Sequence, residues 1–136
     1  MPDFSTDPHT LLMQYPEIGP QATAPFKEKK DWEFAQDWSN ADTARQLAYY
    51  LFHGADWGQT RYIARHPQFK ETNPILGERP SIGKVNNYFL ATGLAHALLM
   101  ATLPPEARKW AQYGTIGIEA GQVRRNKINY GIGMDF

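Results

Sequence analysis

Four polar residues stand where chemistry is possible. Asp56 and Gln59 lie in the run "HGADWGQT", His96 sits in "LATGLAHALLMATL", and Glu119 sits in "TIGIEAGQ". Two carboxylates and an imidazole, brought together, are a set that binds a divalent metal or passes protons. Nothing in their spacing forms a short metal motif such as HExxH. The alternative use of the same residues is a buried hydrogen-bonded network that fixes how helices register. His53, Asp56 and Thr60 also share one side of a helix, at i, i+3 and i+7. No cofactor follows from the pattern, and neither a catalytic nor a metal residue is assigned.

A second group lies in the loop "FKETNPILGERPSIGK". Glu71 and Asn73 can bond free backbone groups of a turn or hold a ligand. Asn73 precedes Pro74 and is pushed to an extended or turn conformation. Gly77 suits a positive φ. Pro80 ends the loop, and Ser81 is placed to cap the following helix rather than to act as a nucleophile, for which no G-x-S-x-G context exists.

These groups need elements to carry them. The chain has 136 residues, the length of one domain, and 14 basic against 14 acidic residues. That balance excludes a general nucleic-acid binder. Cysteine is absent, so disulfides, thiolate metal sites and a Cys nucleophile are excluded. The beginning "MPDFSTDPHT" lacks a basic stretch followed by an apolar one, so no cleaved secretory signal is expected.

The fold expected is mainly α. Three helices are predicted at about residues 39–66, 81–103 and 105–125, preceded by an extended Pro-rich arm and followed by a short extended tail. The helical domain is 39–136. The arm, 1–38, contains Pro2, Pro8, Pro16, Pro20 and Pro25, which preclude a long helix, together with aromatic groups including Phe26, Trp32 and Trp38 that need a surface to lie on. "SNAD" resembles a capping box opening the first helix. Pro105 occupies the first-turn position that proline tolerates. The tail "NYGIGMDF" is expected as an edge strand against the arm or a neighbour.

Small residues recur within the helices: Gly54 and Gly58; Gly93 and Ala97; Gly114, Gly117 and Gly121. A helical glycine costs about 1 kcal/mol relative to alanine, so such positions imply close backbone approach. Helix packing is therefore expected at Gly54, Gly58, Gly93, Ala97, Gly117 and Gly121. None of the three helices reads as a lone membrane span, because Asp56, Arg61, His96, Glu119, Arg124 and Arg125 interrupt the apolar runs. Polar faces turned to one another in an assembly weaken that objection.

The strings "DWGQTRYIARHP", "ETNPILGERPS", "KVNNYF" and "IGIEAGQVRRN" resemble a family of small proteins of tailed bacteriophages and bacterial genomes, commonly labelled hypothetical or membrane proteins. The resemblance spans about residues 56–126 and leaves out the arm. Asp56, Gln59, Thr60, Glu71, Asn73, Pro74, Glu119 and Asn126 match its pattern. It implies a phage or prophage setting and carries no activity. The function expected is a non-enzymatic assembly protein of a phage virion, forming homo-oligomers or joining other virion proteins, and contacting or entering the host envelope on infection. No specific nucleic-acid partner is expected. The alternatives are a small metal-binding or hydrolytic enzyme using Asp56, His96 and Glu119, and a holin-like membrane protein.

Overall fold

The computed structural model describes residues 33–136, so most of the expected arm, residues 1–32, lies outside the described residues. Three helices follow one another: α1 (Asn40–Arg65), α2 (Ile82–Thr102) and α3 (Pro105–Tyr130). Side-chain pairings set their directions. Gln46 meets His96 while Trp57 meets Asn86, so α2 runs antiparallel to α1. Asp42 meets Arg108 while Gln59 meets Asn126, so α3 runs parallel to α1.

Each helix begins and ends for local reasons. At the start of α1 the Ser39 hydroxyl accepts the Asp42 N–H at 3.1 Å, and the Asp42 carboxylate accepts the Ser39 N–H at 2.8 Å, a complete capping box. Ser81 caps α2 by accepting the Lys84 N–H. α3 opens on Pro105 at its first turn. It runs to Tyr130, five residues past the expected end at Arg125, because nothing in "NKINY" breaks a helix. The stop is Gly131, whose φ of 64° lets the Gly131 N–H reach the Lys127 carbonyl and the Ile132 N–H the Asn126 carbonyl.

The tail beyond Gly131 is irregular, not the expected edge strand, and no strand occurs among the described residues. It folds back on α1. The Asp135 N–H donates to the Gly58 carbonyl at 3.0 Å, and Arg65 pairs with Asp135 at 2.9 Å. Gly58 makes room for this: a Cβ there would lie 2.8 Å from the Phe136 ring.

The loop between α1 and α2 is buckled internally. Glu71 N–H bonds the Glu78 carbonyl, Gly77 N–H bonds the Asn73 carbonyl, and Gly77 has φ 77°. Leu76 turns inward and packs with Val85 and Phe89, against Trp57, Ala64 and Tyr88. That small cluster is the main apolar core.

Tyr49, Ile63, Met100, Ala101 and Ile132 are buried besides that cluster, but as many polar residues share the interior, and much of the helices' apolar surface lies outside. Asp42, Gln46, His53, Gln59, Thr60, His96, Arg108 and Gln112 are buried, with Arg108 and Gln112 at 0% exposure. Leu51 is 75% exposed, Leu90 65% and Ile118 68%; Leu47, Leu94, Leu98, Leu99 and Trp110 are exposed as well. The leucine-rich positions of the helices thus do not form the core. The inward seams are polar with steps of three and four residues: Asp42, Gln46, Tyr49, His53, Asp56, Thr60 on α1, and Arg108, Gln112, Thr115, Glu119, Gln122, Asn126 on α3. That is the spacing of a coiled-coil seam.

Candidate functional site

The polar interior has two ends. At the first, where α1 and α3 begin and α2 finishes, Arg108 is buried and each of its three guanidinium nitrogens has an oxygen acceptor. Its Nε donates to the Met100 carbonyl at 3.0 Å, and its Nη2 to the carbonyls of Gln36 (2.7 Å) and Leu103 (2.9 Å). Its Nη1 donates to Asp42 at 3.3 Å, and its guanidinium lies over the Trp38 ring. The Met100 carbonyl, which also accepts the Leu103 N–H, and the Leu103 carbonyl at the end of α2 thereby gain a charged donor. Burial pushes the Asp42 carboxyl up, but bonds from Ser39 and Arg45 and the charge of Arg108 outweigh it and hold it at about 2.

The next layer is a relay of amides and one imidazole. Arg45 donates to the Gln112 Oε1, and Gln112 donates to the Asp42 carbonyl. Gln46 Nε2 meets His96 Nδ1 at 3.0 Å, and His96 Nε2 meets the Thr115 hydroxyl at 2.9 Å. With Gln46 as donor, His96 accepts at Nδ1 and donates from Nε2, the pattern of a neutral ring. Burial and the neighbouring His53 lower its pKa, against the opposite pull of Glu119. Tyr49 stacks flat on His96, ring centroids 3.6 Å apart.

His53 occupies the middle. Its Nε2 donates to the Phe89 carbonyl at 3.0 Å, and Nδ1 meets the Glu119 carboxylate at 2.9 Å. The Tyr49 hydroxyl also lies 3.3 Å from Nδ1, and the two oxygen acceptors, carboxylate and carbonyl, favour the protonated ring. Burial alone lowers the pKa of His53; the bonds to Glu119 and Phe89, with the charges of Glu119 and Asp56, turn the net shift upward.

The far end is open. A cleft of about 510 Å³ lies between α1, the loop and the end of α3, lined among others by Asp56, Thr60, Glu71, Gln122, Arg125 and Asn126. Burial pushes the Asp56 carboxyl up to about 7, helped by Glu119 and Glu71 and opposed by His53 and Arg125. Asn126 bonds Gln59 at 3.1 Å and reaches Asp56 at 3.5 Å, while Gln59 also donates to the Val123 carbonyl. Glu71 Oε1 accepts the N–H groups of Thr72 and Asn73, both at 2.8 Å, and Asn73 Oδ1 accepts the Ile75 N–H.

The expected convergence of Asp56, His96 and Glu119 is therefore corrected. His96 belongs to the amide relay with Gln46 and Thr115, Glu119 pairs with His53, and Asp56 lines the cleft. Among the described residues no three His, Asp or Glu side chains group so as to hold a metal ion. The glycine stripes are corrected as well. Gly93 packs under His53 and Tyr50, and Gly58 under the tail, whereas a Cβ at Gly54, Gly114, Gly117 or Gly121 would meet nothing within 4 Å. Ala97 is half-buried. Gln46, Arg108 and Gln112 were missed by sequence reasoning that followed the apolar periodicity, and Asp42 was read only as the acid of the capping box. The polar residues recurring in steps of three and four were the signal.

Comparison with known protein families, curated proteins and solved structures gives no match.

Proposed function

We propose that the chain is a non-enzymatic helical assembly protein, of the phage kind its sequence resembles, that meets the cell envelope as a bundle with its outer helix faces in lipid. One observation carries the reading: the seams between α1 and α3 bury amides, ions and hydroxyls while Leu47, Leu51, Leu90, Leu94, Leu98 and Leu99 lie on the outer faces. Water favours the opposite arrangement, whereas a polar interior facing other protein groups is the arrangement that lipid demands.

The placement of charge fits the same surroundings. Between Gln46 and Thr60, Val85 and Thr102, and Trp110 and Val123, the only Asp, Glu, Lys or Arg residues are Asp56 and Glu119, which belong to the inner seams. Arg45, Arg61, Arg65, Lys84, Lys109, Arg124, Arg125 and Lys127 flank this band. The helices, of 26, 21 and 26 residues, are about 39, 32 and 39 Å long, comparable to a hydrocarbon core of about 30 Å. Among the described residues no helix is long and apolar enough to cross a membrane. Lipid meets only the outer residues of a bundle, and the residues that depress each helix's mean hydropathy are largely those turned inward.

The histidines support a structural role over a catalytic one. His53 and His96 each engage both ring nitrogens inside the protein, which leaves neither ring a free nitrogen for a substrate proton.

A second reading, contact between copies, rests on α3. Gly114, Gly117 and Gly121 share an open face beside exposed Trp110 and Ile118. Small residues at this spacing let helices approach closely, in lipid as in a water-soluble assembly.

Expression of the full chain alone, followed by membrane fractionation and carbonate washing, tests the proposal. Retention in the membrane fraction is expected; recovery as a monodisperse monomer in detergent-free buffer overturns it. Light scattering in detergent then reads the second proposal, for which a dimer or larger assembly is expected.

A further inference from the structure

We propose that the open cleft is a binding site for a small zwitterion, its ammonium held by Asp56 and Glu71 and its anionic group by Arg125. The site is built from three parts of the chain: Asp56 on α1, Glu71 in the loop, and Arg125 on α3. The three groups act on one another electrostatically through Asp56, yet among the described residues Arg125 forms no ion pair with either carboxylate. Acidic and basic groups thus line one cavity of about 510 Å³ without pairing, and the volume is within the range that takes a small molecule.

The orientation of Glu71 is fixed in advance. Two backbone N–H groups of its own turn hold Oε1, and Oε2 has no hydrogen bond among the described residues. The other cation on this rim, Lys70, is engaged with Glu78 at 2.8 Å. Thr60 and Gln122 add a hydroxyl and an amide that make no hydrogen bond among the described residues.

Charge selects the ligand class. A bare cation meets the repulsion of Arg125, and the carboxylates do not cluster as metal ligands. A bare anion meets two carboxylates. A molecule carrying both signs satisfies all three groups, and a primary ammonium also donates hydrogen bonds to the carboxylates. Free amino-phosphates and phosphatidylethanolamine headgroups share this chemistry. The charges line the cleft whether or not the outer faces lie in lipid, so this inference stands independently of the lipid reading.

The experiment is calorimetric titration of the purified full chain at pH 8, above the value of about 7 to which Asp56 is pushed, in mild detergent if required, with O-phosphoethanolamine, ethanolamine and inorganic phosphate. O-Phosphoethanolamine is expected to bind about tenfold or more tightly than either half. Asp56→Asn and Arg125→Gln are each expected to weaken it about tenfold while thermal unfolding stays cooperative. Tighter binding to phosphatidylethanolamine nanodiscs than to phosphatidylcholine nanodiscs, whose quaternary ammonium has no N–H, assigns the headgroup as the source; equal binding to the two discs, with O-phosphoethanolamine bound, assigns a free zwitterion. The inference is overturned if O-phosphoethanolamine shows no binding at about 10 mM, if either half binds as tightly as the whole, or if both variants bind like the parent chain.

Discussion

The two ends of the polar interior use similar residues to opposite effect. At the Arg108 end each charge has its partner: a guanidinium with four oxygen acceptors, and a carboxylate held at about 2 by hydroxyl, amide and cation. At the Asp56 end a carboxyl is pushed up to about 7, Glu71 keeps one oxygen unbonded, and Arg125 makes no ion pair among the described residues. A saturated network has nothing left to offer a ligand and serves to lock helix register. An unsaturated one costs stability and leaves groups for something else to satisfy. Charge inside this bundle is therefore structural at one end and available at the other.

The largest effect is expected at the saturated end. Asp42→Ala leaves Arg108 buried without its counter-charge and should cost about 3–5 kcal/mol, enough to unfold much of a protein of ordinary stability. Chemical denaturation measures it. A loss below about 1 kcal/mol would mean that this end is no more locked than the other.

The middle of the seam comes next. Glu119→Gln should cost about 1–3 kcal/mol at pH 6 by weakening the bond to His53. The folded pKa of His53 is raised, so this pair's contribution is complete below the unfolded histidine value of 6.5 and is lost as pH rises through the folded value. The penalty should shrink as pH rises through that folded value, as thermal melts across pH would show.

At the open end the sign reverses. Asp56 binds its proton more tightly folded than unfolded, so stability falls as pH rises from the ordinary carboxyl value of 3.8 to about 7. Asp56→Asn should leave stability unchanged at pH 4 and add about 1–2 kcal/mol at pH 8. A loss at pH 8 would show the ionised carboxylate to be as well partnered as Asp42.

The smallest effect on folding is expected outside. Leu94→Ser with Leu98→Ser should change stability in detergent by no more than about 0.5 kcal/mol, because neither residue packs in the core. The same pair should reduce retention in membranes. A large loss of stability would make these leucines structural after all.

Three helices were legible in the sequence because their boundaries are chemical: Ser39 and Ser81 cap, Pro105 opens, Pro67 and Pro104 close. The overrun of α3 to Tyr130 was not, since Lys127 and Asn129 neither favour nor forbid a further turn. The candidate site was half legible. Asp56, Glu71 and Asn126 were singled out and do line the cleft, but His96 was placed with them on residue type alone. Rotation about a helix axis decides such partners, and the leucine pattern pointed that rotation the wrong way. In water an apolar stripe faces the core; here α2 buries Val85, Phe89 and His96 and leaves Leu90, Leu94 and Leu98 outside. Gly117 and Gly121 misled in the same way, marking an outer face rather than an inner contact.

Density-gradient flotation of the purified full chain with liposomes tests the inverted bundle most directly. The protein should rise with the vesicles and stay with them through high salt and carbonate, with Leu94→Ser and Leu98→Ser together lowering the floated fraction. A chain that remains at the bottom of the gradient as a detergent-free monomer would contradict it.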